Sequence, residues 1–213
     1  MRKLQWIVFD VGGVLLDWPA SSMAAATYLG VTHDELFDVL FDQSVDTSIG
    51  AQMNVGAISA EEGWRLILEE LKKDCAPEII INRWYAKEFW LEDTLQLIVQ
   101  LHEAGYKLAI MSNSWLGLTD PRKRRALPKE LRLFDKVFDS SVERLKKPDE
   151  MFYELVEQST GSKGDGLFFI DDDQKNLAVA EKRGWQHFLY EMGEGKDGKA
   201  ANAVLRDLLL DPR

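Results

Sequence analysis

Three runs of consecutive apolar residues constrain the fold of this 213-residue chain more than any other feature: Trp6-Ile7-Val8-Phe9, Leu108-Ala109-Ile110-Met111 and Leu167-Phe168-Phe169-Ile170. None alternates with polar residues, so each needs apolar surroundings on both sides, as in a parallel sheet covered by helices. Lys136-Val137-Phe138 and His187-Phe188-Leu189-Tyr190 are weaker runs of the same kind. Amphipathic helical patterns lie between them. Leu95, Ile98, Val99 and Leu101 share one face of a helix ending at Gly105; Phe152, Leu155 and Val156 mark another closed near Gly161; Leu177, Ala178 and Ala180 mark a third stopped by Gly184.

This alternation predicts right-handed crossovers and an α/β fold, a three-layer Rossmann-like core around a parallel sheet. Residues 18–91 break the rhythm with helices and no strand between them. Thr32 with Glu35, and Ser59 with Glu62, have capping-box spacing. Trp64, Ile67, Leu68 and Leu71 fall on one helix face, with Trp64 facing the core. Pro77 suits the first turn of a further helix carrying Trp84, Phe89 and Trp90. The expected organisation is a core of residues 1–17 and 92–213, with a small all-helical cap, 18–91, inserted after the first strand.

Charge and composition exclude several classes. The net charge of -10 and the pI near 4.9 argue against a broad nucleic-acid-binding face, and any phosphate site needs local cations or a metal. Cys75 is the only cysteine, so no intrachain disulfide is possible and a reducing compartment is expected. The amino-terminal segment reads as a first strand, and no apolar stretch approaches the ~20 residues of a membrane span. A cytoplasmic protein that binds neither membrane nor nucleic acid is expected; oligomeric state is not legible. Dinucleotide and Walker loops are absent, and His33, His102 and His187 have no metal or triad spacing.

In an open parallel sheet, ligands bind beyond the carboxyl ends of the strands. Asp10 follows the first run, Ser112-Asn113 the second, Lys147 the loop after Phe138, and Asp171-Asp172-Asp173 the run ending at Ile170. Each has an ordinary structural reading. A carboxylate after a strand commonly caps a turn, Lys146-Lys147-Pro148 suits a solvated turn, and Asp171–Asp173 suits the cap of a helix starting near Gln174. Three adjacent carboxylates nonetheless repel one another, which a divalent cation relieves. The ordered conjunction carries the signal.

In that conjunction the chain resembles the haloacid dehalogenase superfamily. Phe9-Asp10-Val11-Gly12-Gly13-Val14-Leu15 looks like its first motif, Ser112-Asn113 the second, Lys147-Pro148 the third, and Phe169–Asp173 with Asn176 the fourth. The helical insert is similar to the small cap of subfamily I. The resemblance implies that Asp10 is a nucleophile forming an aspartyl-phosphate, and that Mg²⁺ is held by Asp10, the Gly12 carbonyl, Asp171 and Asp172. It also implies that Ser112 and Asn113 hold phosphoryl oxygens while Lys147 neutralises developing charge. The implied substrate is a small phosphorylated metabolite, with a sugar phosphate as the favoured class.

Gly12 departs from the common pattern, in which a second aspartate serves as general acid and base, a role worth roughly 10²–10⁴ in rate. Members written FDxGxV, including bacterial α-D-glucose-1-phosphate phosphatases, resemble this chain and tolerate that glycine. Three alternatives stay open: a fold-retaining binding or regulatory protein with little turnover, a 2-haloacid dehalogenase, and other chemistry such as phosphonate cleavage. Trp18, beside Asp17, is a candidate substrate-pocket residue. Arg122-Lys123-Arg124-Arg125 reads as a solvated run that could also attract an anionic substrate.

Overall fold

The computed structural model describes residues 4–42, 47–119, 127–193, 195 and 197–211. Five strands, β1 (Trp6–Phe9), β2 (Lys107–Ser112), β3 (Lys136–Asp139), β4 (Leu167–Asp171) and β5 (Gln186–Leu189), form one parallel sheet in the order β3-β2-β1-β4-β5. The central strand is β1, with Phe9 in register with Ile110 on one side and Ile170 on the other.

The pleat explains why the runs do not alternate. Ile7, Phe9, Leu108, Ile110, Phe168 and Ile170 belong to one apolar layer; Trp6, Val8, Ala109, Met111, Leu167 and Phe169 belong to the other. Helices cover both faces. Among the described residues the α-helices are α1 (Trp18–Leu29), α2 (His33–Leu40), α3 (Ile49–Asn54), α4 (Ala60–Glu70), α5 (Pro77–Trp84), α6 (Glu92–Glu103), α7 (Ser140–Glu143), α8 (Glu150–Thr160), α9 (Gln174–Lys182) and α10 (Lys199–Leu209). Leu97, Ile98 and Leu101 of α6 join Leu205 and Leu209 of α10 in the first layer, and α8 and α9 supply Phe152, Val156, Leu177 and Ala180 to the second. Strand β5 lies at the sheet edge, where its residues are only half-buried or exposed, and its sequence run is correspondingly weak.

Helices α1 to α5 follow β1 without an intervening strand and build an apolar cluster of their own around Leu36, Leu40, Met53, Trp64, Ile67 and Ile80. Trp64 is wholly buried there. Trp115, from the segment after β2, also enters this cluster and joins the helical insert to the sheet edge.

Two expectations about the insert change. Thr32 and Glu35 form the full reciprocal box, with the Thr32 hydroxyl accepting from the Glu35 N–H and the Glu35 carboxylate accepting from the Thr32 N–H. Ser59 accepts from the Glu62 N–H, but the Glu62 carboxylate is held by Arg65 at 2.8 Å, so the second box is half made. Helix α5 ends at Trp84, before Phe89 and Trp90. The chain there turns to pair with the segment leaving β1: the Asp17 N–H donates to the Phe89 carbonyl, and the Leu91 N–H donates to the Leu15 carbonyl. Those cross-chain hydrogen bonds compete with continuation of the helix and win.

Candidate active site

The strand order reverses beside β1, since β2 and β3 lie to one side while β4 and β5 lie to the other. A crevice forms at such a switch point beyond the strand ends. Asp10 and the Asp171-Asp172 pair emerge on its two sides. The Asp10 N–H still donates to the Ile170 carbonyl, which ties its backbone to β4.

Asp10 is buried, and its Oδ1 accepts from the Val11 N–H at 2.6 Å. Lys147 Nζ lies 2.8 Å from Asp10 Oδ1 and 2.7 Å from Asp171 Oδ2, bridging the two strand ends. Asp171 is wholly buried, and its Oδ1 accepts from the Asp173 N–H and the Asn176 amide. Asp172 opens to solvent at the mouth of the crevice and makes no ion pair among the described residues. Each of Asp10, Asp171 and Asp172 offers an oxygen, and these atoms all lie within 4.8 Å of one another. That spacing lets hard oxygen donors share one divalent ion. One lysine against three carboxylates leaves a local excess of negative charge that such an ion would offset.

The turn after Asp10 is built for close approach. Gly13 has φ of 76°, and a side chain there would overlap the Asp172 carboxylate. Gly12 meets a different neighbour: a Cβ at that position would lie 3.3 Å from Cδ1 of Trp18. The indole packs against that position, so any side chain at residue 12 would press on it and require it to shift by a few tenths of an ångström.

Asn113 does more than its backbone suggests. Its amide donates to the Lys147 carbonyl at 2.9 Å and accepts from the Lys147 N–H at 2.8 Å, so it fixes the loop that aims Lys147. Ser112 is the buried last residue of β2 and lines the same crevice. Asp139, at the end of β3, accepts from the N–H groups of Leu118 and Ser141 and holds the segment after β2 in place. Asp173 caps α9 by accepting from the Lys175 N–H, the ordinary helix-capping role.

Burial, with Asp171 adding repulsion against the attraction of Lys147, lifts the Asp10 carboxyl to about 6. Although Asp172 reaches solvent at the mouth, desolvation by the crevice on its inner side and the charges of Asp10 and Asp171 lift it to about 7. Burial works against the charge on Lys147, but the two adjoining carboxylates outweigh it and hold the ammonium above its ordinary value. Both acids thus bind protons more tightly in the folded chain than in the unfolded one. Between about pH 4 and pH 7 the metal-free folded state carries the extra protons, so this cluster's contribution to stability declines as pH rises through that window. Thermal unfolding in chelator is expected to show the decline, and Asp172→Asn is expected to reduce it. A slope unchanged by that substitution would contradict the assignment.

A cavity of about 340 Å³ runs from these groups toward the helical insert. Asp10, Gly12, Ser112, Asn113, Lys147 and Asp172 line its sheet end, and Trp18 stands in its wall. So do Phe37, Phe41, Trp84, Tyr85 and Trp115, which the sequence reading did not single out as site residues. Trp115 lies three residues after Ser112, a proximity that pointed toward the site; Phe37 and Phe41 showed only helical spacing. The basic run Arg122–Arg125 lies outside the described residues.

Known structures share this architecture. A HAD-like family hydrolase from Porphyromonas gingivalis superposes with a TM-score of 0.71 at 24% identity, over 96% of this chain and 98% of that one. The fold is that of the HAD-like hydrolases. A HAD family enzyme from Bacteroides thetaiotaomicron, solved with magnesium and inorganic phosphate, has a TM-score of 0.67 at 23% identity, covering 90% of this chain and 96% of that one. A dehalogenase matches with a TM-score of 0.67 at 19% identity, over 98% of both chains. No protein-family model matches the chain.

By sequence, the chain is 24% identical over 192 residues to drimenol cyclase drtB of Aspergillus calidoustus, covering 86% of this chain and 33% of that protein. It is 31% identical over 88 residues to sesquiterpene phosphatase astK of Aspergillus oryzae, covering 41% of this chain and 44% of that protein. The chain therefore spans about a third of the first relative and less than half of the second. No helix among its described residues is long and apolar enough to cross a membrane.

Proposed function

We propose that this protein is a magnesium-dependent phosphoric monoester hydrolase acting on a small phosphorylated metabolite. The observation that carries the reading is the convergence of Asp10, Asp171 and Asp172, with oxygens within 4.8 Å of one another, beside the Lys147 ammonium that bridges the first two. The all-oxygen donor set suits Mg²⁺ and not zinc. Residues 18–91 act as a cap over a core of 1–17 and 92–213, and the paired crossings at Asp17–Phe89 and Leu15–Leu91 support that division. The phosphatase among the relatives and the magnesium–phosphate complex among the structures are consistent with the same chemistry.

In this reading an Asp10 carboxylate oxygen attacks phosphorus and forms an aspartyl-phosphate, while the bond from phosphorus to the substrate oxygen breaks and its electron pair leaves with that oxygen. Water then attacks phosphorus, releases phosphate and restores Asp10. Ser112 and the Asn113 N–H hold phosphoryl oxygens, and Lys147 neutralises charge that develops on them. Asp10, the Gly12 carbonyl, Asp171 and Asp172 would hold the metal, which supplies positive charge opposite the phosphoryl oxygens when bound. Because the leaving oxygen has no aspartate at residue 12 to protonate it, esters of acidic alcohols are the favoured substrates.

A dehalogenase is the second reading, favoured by Gly12 and by the dehalogenase among the matching structures. It leaves the crowding of Asp171 and Asp172 around Asp10 without a use. The test is release of p-nitrophenolate from p-nitrophenyl phosphate, whose leaving group needs no proton. Release that requires Mg²⁺, stops in chelator and is lost in Asp10→Asn is expected. Chloride release from a 2-haloacid, unaffected by chelator, would replace this reading with the second.

A further inference from the structure

The cavity beyond the carboxylates is not lined evenly. Its charged groups, Asp10, Lys147, Asp172 and Asp173, come from the strand ends and the loops after them. The remaining wall is dominated by Trp18, Phe37, Phe41, Trp84, Tyr85 and Trp115. These rings are continuous: Trp18 stacks on Phe37 at 5.8 Å, Phe37 meets Phe41 at 5.5 Å, Phe41 meets Trp115 at 6.4 Å, and Trp115 meets Trp84 at 5.5 Å. The polar exceptions are few: Asn54 and Trp115, whose Oδ1 and indole N–H are buried without partners, and the Tyr85 hydroxyl, which is engaged with Ser114. A sugar brings several hydroxyls, each costly to bury without a partner, more than these groups could meet. A flat aromatic body gains ring contacts against such a wall and asks for few hydrogen bonds.

A second observation bears on the leaving oxygen. Gly12, against which Trp18 packs, carries no side chain that could donate a proton there. An oxygen that departs as a stabilised oxide suits this arrangement. Phenols ionise near 10, as tyrosine does, far more readily than alkyl alcohols.

We propose that the substrate is a phosphate monoester whose esterified body is apolar, flat and aromatic, an aryl phosphate, and not a sugar. The inference rests on the phosphatase reading. Asp10 bonds to phosphorus, the bond between phosphorus and the body's oxygen breaks, and the electron pair departs on that oxygen, which takes its proton from solvent after release.

The test compares kcat/KM for 1-naphthyl phosphate, farnesyl monophosphate, glucose 1-phosphate and acetyl phosphate with the full chain and Mg²⁺. Naphthyl and farnesyl esters share an apolar body but differ in leaving oxygen, so their ratio separates the effect of the leaving oxygen from that of the body. The naphthyl ester is expected to exceed glucose 1-phosphate by about tenfold or more, the effect of burying an apolar body of this kind. Phe37→Ala is expected to lower the naphthyl-to-acetyl phosphate ratio by about tenfold, and Phe37→Leu, which keeps more bulk, to lower it less. Glucose 1-phosphate turned over as well as the naphthyl ester, farnesyl monophosphate turned over faster than it, or a ratio unmoved in both Phe37 variants, overturns the substrate class while acetyl phosphate hydrolysis leaves the phosphatase reading standing. No hydrolysis of any of the four, acetyl phosphate included, overturns both.

Discussion

Asp10→Asn is expected to lower magnesium-dependent turnover of p-nitrophenyl phosphate by on the order of 10⁴-fold or more, the scale on which removal of a nucleophile acts. An amide cannot attack phosphorus, and p-nitrophenolate leaves without a proton, so the loss reports the nucleophile and not an acid. The substitution should leave the fold intact. Asparagine still presents an oxygen to the Val11 N–H, which Asp10 Oδ1 accepts at 2.6 Å. It also removes one of three crowded carboxylates, two of which are held well above their ordinary range. Thermal stability in chelator is therefore expected to be retained. Turnover within tenfold of the wild type would remove Asp10 from the chemistry.

Lys147→Met is expected to destabilise the protein by about 3–5 kcal/mol, the usual cost of removing one partner from a buried ion pair. Lys147 is 3% exposed and lies within 2.8 Å of both Asp10 and Asp171, so methionine replaces its length but abandons two buried carboxylates. Two conditions should recover part of the loss. Lowering the pH toward 5 protonates Asp10, whose carboxyl already stands at about 6, and saturating Mg²⁺ replaces the missing positive charge. Turnover is expected to fall by roughly 10²–10³ even with magnesium, because the ammonium no longer meets charge developing on phosphorus-bound oxygens. Chemical denaturation with and without Mg²⁺ measures the first effect. A loss under about 1 kcal/mol would show that the bridge is incidental.

The sheet was legible because its strands are buried on both faces, which forces unbroken runs such as Trp6–Phe9 and Leu167–Ile170. The edge strand β5 was faint for the opposite reason, its residues being only partly enclosed. Strand ends were legible too, and a parallel sheet carries strand ends to one edge; hence Asp10, Ser112, Lys147 and Asp171 meet as their order suggested. What stayed hidden depends on contacts between distant segments. The end of α5 at Trp84 is decided by pairing with residues 15–17, far away in sequence. Nothing in the sequence marks Phe37 and Phe41 as site residues; only the fold brings Trp18 and Trp115 against them. Asn113 was expected to act through its backbone, and only the fold brings its amide against the Lys147 peptide.

A crystal structure of the protein with Mg²⁺ and beryllium fluoride, a stable mimic of a phosphoryl group on aspartate, tests the central claim most directly. The account predicts one ion at roughly 2.0–2.1 Å from oxygens of Asp10, Asp171 or Asp172 and the Gly12 carbonyl, with the fluoride adduct on Asp10 and Lys147 against it. An ion bound away from all three carboxylates, or an adduct on any other residue, would contradict it.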